Sequence, residues 1–183
     1  MSQEIQDRFK QFVAPTYGRF PITLDRGEGA YVWDTDGKRY LDLGGGIAVN
    51  CLGHAHPEVS QALAGQSSKL MHCTNFYHFD GQARLAENLA KRLGPGRVFF
   101  GNSGAEASEV MFKLARRLGQ AEGRFEIITA ENSFHGRTMA GISASGQKKL
   151  KDGFAPLLEG FAHVPYNDID AVHSAITPAT VAV

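Results

Sequence analysis

Apolar and polar residues recur with different periods along the chain, and the period marks each element. In Ser2–Val13 the apolar positions are Ile5, Phe9, Phe12 and Val13, one face of a short amphipathic helix that Pro15 would end. Residues 20–46 carry short apolar runs separated by turn residues. Asp36-Gly37 lies between "YVW" and "YLDL", which predicts a hairpin. Gly44, Gly45 and Gly46 break the pattern, and a helix is predicted over 57–71. Pro57 suits its first turn, with Val59, Leu63 and Leu70 on one side.

From residue 80 the texture changes. "QARLAENLAKRL" spaces Leu85, Leu89 and Leu93 by four, a helix that "GPG" closes. Arg97–Phe100 is expected as a short buried strand. Residues 103–118 form a predicted helix whose apolar stripe is Ala107, Val110, Met111, Leu114, Ala115 and Leu118. "FEIIT", "FAHVPYND" and "TVAV" are predicted strands, with "DIDAVHSAI" as a helix between the last two. Strands alternating with helices imply an α/β fold whose parallel sheet is covered on both faces. "TVAV" has the pattern of a central strand, yet the chain stops at Val183 without a turn or a following helix. The expectation is an incomplete domain; an edge strand at a natural end is the alternative.

Composition narrows the function classes. A chain of 183 residues, 43% hydrophobic and 21% charged, has the make-up of a soluble globular protein. Lys+Arg and Asp+Glu balance at 19 each, which points to neither nucleic acid nor an anionic membrane as partner. No apolar run approaches the length of a membrane span. The N-terminus carries Glu4 and Asp7 and lacks an apolar h-region, so no signal or transit peptide is expected. Cys51 and Cys73 form no C-x-x-C pair, and a cytoplasmic protein with reduced thiols is expected.

Two segments could carry chemistry. In "FFGNSGAEASEV", residues 99–110, small residues separate an apolar run from a helix. The first N–H groups of a helix lack intrahelical partners, and its dipole makes that end partly positive. A phosphate there could bond the N–H groups of Gly104 and Ala105 and the Ser103 hydroxyl. The same residues admit a reading without a ligand, because Ser103-x-x-Glu106 is a capping box. The second segment, "ENSFHGRTMAG" at 131–141, follows the "FEIIT" strand, and loops after parallel strands gather at the ligand-binding rim of such sheets. Phe134 could stack on a flat heteroaromatic ring, and Arg137 could hold a carboxylate through two hydrogen bonds. The plain alternatives are a core Phe134 and a solvated Arg137. Taken together, the two segments suit a phosphorylated aromatic cofactor that receives an amino acid.

"FFGNSGAEASEVMFKLARR" and "ITAENSFHGRTMAGISASG" resemble the class III pyridoxal-phosphate aminotransferases, most nearly their acetylornithine/ornithine branch. The resemblance continues upstream through "PTYGRFPITLDRGEGAYVWDTDGKRYLDLGGGIAVNCLGHAHP" and so covers essentially the whole chain. It implies a fold-type-I transferase, with residues 1–60 as an N-terminal segment and 61–183 as an incomplete cofactor-binding large domain. It implies pyridoxal 5'-phosphate as cofactor, bound by Ser103, Gly104 and Ala105 at the phosphate and by Phe134 at the ring. Arg137 is similar to the family's clamp for the substrate carboxylate, and Tyr17 to a tyrosine that helps seat the substrate. The implied reaction moves an amino group from an ω-amino acid such as N-acetylornithine to 2-oxoglutarate. The family works as homodimers. A related aminomutase or decarboxylase, or a non-catalytic phosphate-binding or dimer-forming fragment, are the alternatives.

The departures matter as much. Ser108 stands where the family usually has Asn, with little consequence expected. In the family, the lysine that forms the Schiff base and the aspartate that pairs with the pyridine nitrogen lie downstream of Val183. Lys10, Lys38, Lys69, Lys91, Lys113, Lys148, Lys149 and Lys151 match no family lysine motif. The expectation is therefore a chain with no catalytic residue of its own, inactive alone. "GISASGQKK" at 141–149 imitates a P-loop, but Gln147 separates Gly146 from Lys148 and no Ser or Thr follows the lysine. The spacing of Cys51, His54, His56, His72, Cys73 and His78 fits no zinc signature, so no metal is expected.

Overall fold

The computed structural model describes residues 2–183, which form two compact units, one up to Ala83 and the other Arg84–Val183. In the first unit the expected helix is α1, Ser2–Phe12. The expected hairpin joins β2, Tyr31–Asp34, to β3, Arg39–Leu41, and β1, Leu24–Glu28, pairs antiparallel on the other side of β2. Gly37 takes φ +82° in the turn, a conformation that glycine adopts without strain. A single turn, α2 (Gly45–Ala48), follows, with left-handed backbone at Gly46 and Ile47 inside it. The Asp42 carboxylate accepts from the Gly44 and Gly45 N–H groups and lies 2.7 Å from His54 Nε2. Helix α3 spans Pro57–Ser67, four residues shorter than expected, and leaves Leu63 exposed. Helix α4 spans Asp80–Leu93.

The second unit holds the parallel sheet. Helix α5, Gly104–Gly119, leads through a 3-10 turn to β4, Glu126–Ala130. Then come α6 (Met139–Ala144), β5 (Phe161–Val164), α7 (Ile169–Ala175) and β6 (Thr180–Ala182). The strand order is β5-β4-β6 and both pairings are parallel. Strand β4 is central because "IIT" can be buried on both faces: Ile127, Ile128 and Thr129 are all buried. Phe112, Ile127, Ala140 and Ala144 form the core, with Ala115, Phe161, Val181 and Ala182 packed against them. The α/β class and the parallel sheet expected from the sequence are both present.

Two expectations fail here. Arg97–Phe100 forms no strand, and Phe99 is exposed. The sheet runs β5-β4-β6, and this segment pairs with neither of its edge strands. On α5 the buried residues are Ser108, Phe112 and Gly119, whereas Met111, Leu114 and Leu118 of the expected stripe are exposed. Close approach explains the inversion. A Cβ at Gly119 would stand 2.2 Å from the Arg124 carbonyl oxygen and 2.7 Å from Val181 Cγ2. The helix therefore meets the sheet on its small residues, with Phe112 as the one large side chain driven inward.

Candidate functional site

The carboxyl end of β4 opens into the loop of residues 131–138, which is braced from three directions. Glu131 bridges in parallel to Gly146, where a Cβ would lie 2.3 Å from the Ala130 carbonyl oxygen. Ser145, fully buried, accepts the His135 N–H at 2.9 Å through Oγ and donates to the Gly141 carbonyl at 2.8 Å. Thr138 caps α6, its Oγ1 accepting from Gly141 N–H at 2.9 Å. "GISASG" is thus no nucleotide loop: its small residues let α6 and the following turn sit directly beneath this loop. The signal for this brace in the sequence is the pair of small residues, Ser145 and Gly146, that follows a short apolar helix.

The loop then meets α5. Gly136 is buried with φ +106°, and a Cβ there would stand 2.9 Å from Ala105 Cβ and 3.0 Å from Ala105 Cα. The two chemistry-bearing segments are therefore in contact, through the smallest residue of one and the second helical residue of the other. The His135 ring packs against Phe112, centroids 5.9 Å apart. Burial, and secondarily the charge of His163, lower its proton affinity below the usual histidine value, so a neutral imidazole is favoured.

At the helix start the capping reading is realised. Ser103 is the N-cap, extended at φ −152° and ψ 161°, and its Oγ accepts from Glu106 N–H at 3.2 Å. The Glu106 carboxylate accepts the N–H of Asn102, one residue before the position that a standard capping box would serve. Capping does not close the site. The Ser103 hydroxyl hydrogen stays free to donate, and Gly104 and Ala105 precede the first intrahelical N–H, that of Ala107. A Cβ at Gly104 would meet nothing within 4 Å. The end of α5 is thus an open, partly positive surface with N–H groups to offer.

Phe134 is 56% exposed, so it is no core residue, and Arg137 Cζ lies 5.6 Å from its ring centroid. Ser103, Gly104, Ala105, Phe134 and Arg137 all belong to the second unit, four of them exposed and Ala105 half-buried. Tyr17 belongs to the first unit, where it is 65% exposed and outside any helix or strand. Cys51 and Cys73 are free thiols. No helix among the described residues is long and apolar enough to cross a membrane.

Known proteins resemble this chain over nearly its whole length. The family model described as "Aminotransferase class-III" matches residues 12–180. The acetylornithine aminotransferase of Methanothermobacter thermautotrophicus is 49% identical over 182 residues, covering 100% of this chain and 46% of that protein. The crystal structure of the ornithine aminotransferase from Toxoplasma gondii superposes with a TM-score of 0.93 at 28% identity, covering 99% of this chain and 44% of that one. A taurine:2-oxoglutarate aminotransferase from Bifidobacterium kashiwanohense, solved with PLP and glutamate, gives a TM-score of 0.83 at 27% identity over 97% of this chain and 40% of that one. The chain spans a little under half the length of the curated relatives it matches.

Proposed function

The chain belongs to the class-III aminotransferases, and on that premise we propose that it is part of an enzyme that uses pyridoxal 5'-phosphate to move an amino group from an ω-amino acid such as N-acetylornithine to 2-oxoglutarate. The observation that carries the reading is the seating of Gly136 on Ala105, which joins a helix N-terminus to an exposed aromatic ring and a guanidinium. The residues fit the cofactor: a Cβ on Gly104 would meet nothing within 4 Å, so the helix end is open there. When bound, pyridoxal phosphate supplies the carbonyl that exchanges amino groups and the ring that withdraws electrons.

Ser103, Gly104 and Ala105 hold the phosphate, through one hydroxyl and two N–H groups, where the helix dipole favours negative charge. Phe134, exposed beside this helix end, would support the flat ring. Arg137 holds the substrate carboxylate in a two-pronged hydrogen bond, because a guanidinium matches that shape and stays charged. Tyr17 helps seat the substrate. Residues 1–60 serve as the N-terminal segment and 61–183 as the cofactor-binding part, and the complete protein works as a cytoplasmic homodimer. The Schiff-base lysine lies outside this chain, which by itself is inactive.

The test uses pyridoxamine 5'-phosphate, whose amine forms no imine with lysine and so reports the cradle alone. Calorimetric titration of the chain should show one site, competed by inorganic phosphate and weakened by Phe134→Ala. Assay with N-acetylornithine and 2-oxoglutarate should show no turnover by the chain. Binding that Phe134→Ala leaves unchanged would contradict the assignment, and turnover would contradict the placement of the lysine.

A further inference from the structure

Beside the site, and outside the residues assigned to it, a groove of about 880 Å³ is lined by Glu131, Gln147, Lys148, Lys149, Lys151 and His163, among others. Its charge is lopsided: three lysines face one carboxylate. Lys151 is half-buried and is the residue that ends the 3-10 turn Lys148–Leu150. Its Nζ lies 3.1 Å from His163 Nε2. That same Nε2 is 3.2 Å from the Ala144 carbonyl oxygen, which also accepts from Thr129 Oγ1 at 2.7 Å.

One ring nitrogen thus faces a carbonyl and an amine together. A carbonyl can only accept, so the favourable tautomer places the hydrogen on Nε2 and directs it to Ala144. An ammonium against that N–H would be repelled, so this contact disfavours the charged form of Lys151. Burial works in the same direction and lowers the proton affinity of Lys151 below the usual lysine value. A free lysine is neutral in only about one molecule in a thousand near neutral pH, so a lowered proton affinity raises the reactive fraction.

We propose that Lys151 is an amine nucleophile for small anionic aldehydes, whose carboxylate or phosphate is drawn into the groove by Lys148 and Lys149. The neutral Nζ attacks the carbonyl carbon, a C–N bond forms, and the π pair of the C=O moves to oxygen. One amine proton passes to that oxygen. Loss of water then removes the oxygen with the second amine proton and leaves a C=N bond. No oxidant or reductant takes part in the step. Neither the reaction nor its probe involves Ser103, Phe134 or Arg137, so the proposal stands apart from the cofactor assignment.

The test is competitive labelling of the wild-type chain with glyoxylate, an anionic aldehyde, or with acetaldehyde, a neutral one. Excess cyanoborohydride traps each imine, and peptide mass spectrometry reads the rate at every lysine. Near neutral pH glyoxylate should modify Lys151 about tenfold faster than the exposed Lys69 and Lys113. In the double variant Lys148→Gln, Lys149→Gln the glyoxylate rate at Lys151 should fall about fivefold, while the acetaldehyde rate stays within about twofold. Labelling of Lys151 no faster than Lys69 overturns the nucleophile. An equal fall for both aldehydes in the double variant overturns the anion-holding role.

Discussion

A Cβ placed on Gly136 would lie 2.9 Å from Ala105 Cβ, closer than side-chain carbons pack. The loop after β4 and the start of α5 are locked by that absence of a side chain. Gly136→Ala introduces the clash at a backbone angle that alanine tolerates poorly. The expected loss is about 1–3 kcal/mol of stability, with weakened binding of pyridoxamine phosphate, read by denaturant melts and calorimetry.

Gly104 behaves in the opposite way, because a Cβ there meets nothing of the protein. Gly104→Ala should change stability by no more than about 0.5 kcal/mol. Its methyl group would nevertheless stand over the N–H groups of the helix end, and affinity for pyridoxamine phosphate should fall about tenfold, or about 1.4 kcal/mol. A variant that folds as wild type yet binds less is the signature of a ligand cradle rather than a cap.

Ser103 combines both roles, since its Oγ already accepts from Glu106 N–H. Ser103→Ala should cost about 1 kcal/mol as a lost cap and also weaken phosphate binding. Ser103→Gly retains most of the cap's contribution, to within a few tenths of a kcal/mol, but has no hydroxyl to donate. Comparing the two variants by thermal melts and calorimetry separates capping from binding.

His135 gives the fold a pH dependence of known sign. Its proton affinity is lower in the fold than in the unfolded chain, first through burial and then through His163. The unfolded chain therefore takes up the proton first as pH falls. Stability should be unaffected above the ordinary histidine range of about 6.5 and decline as pH drops through that range toward the lowered folded value. His135→Gln should flatten this part of the profile, measured by denaturant midpoints. The carboxylates of Asp34 and Asp42 are held below their usual range, by a hydrogen bond from Tyr40 and by His54 respectively, and act only at lower pH.

The sheet and the order of its elements were legible in the sequence, because β4 is a short run of β-branched residues that both faces bury. The face of α5 was not. Hydrophobic periodicity weighs the larger apolar side chains, and so it selects Met111, Leu114 and Leu118. The packing is decided instead by how closely Gly119 lets the helix approach Arg124 and Val181. Phe112→Ala should accordingly cost about 3–5 kcal/mol, while Leu114→Lys should cost no more than about 0.5 kcal/mol in thermal melts. The candidate site was legible as two motifs, since small residues before a helix and an aromatic-arginine loop after a strand each have a physical use. Their contact was not, because it depends on a glycine angle and on Ser145, whose buried hydroxyl joins His135 to Gly141.

The central claim is that the end of α5 and the loop of residues 131–138 form one binding site for a phosphorylated aromatic ligand. Backbone amide resonances of the chain during titration with pyridoxamine phosphate test it most directly. The account predicts the largest shifts at Gly104 and Ala105, with Phe134 and Arg137 moving at the same ligand concentration. Shifts confined to the Lys148–Lys151 groove, or movement of Gly104 without Phe134, would contradict it.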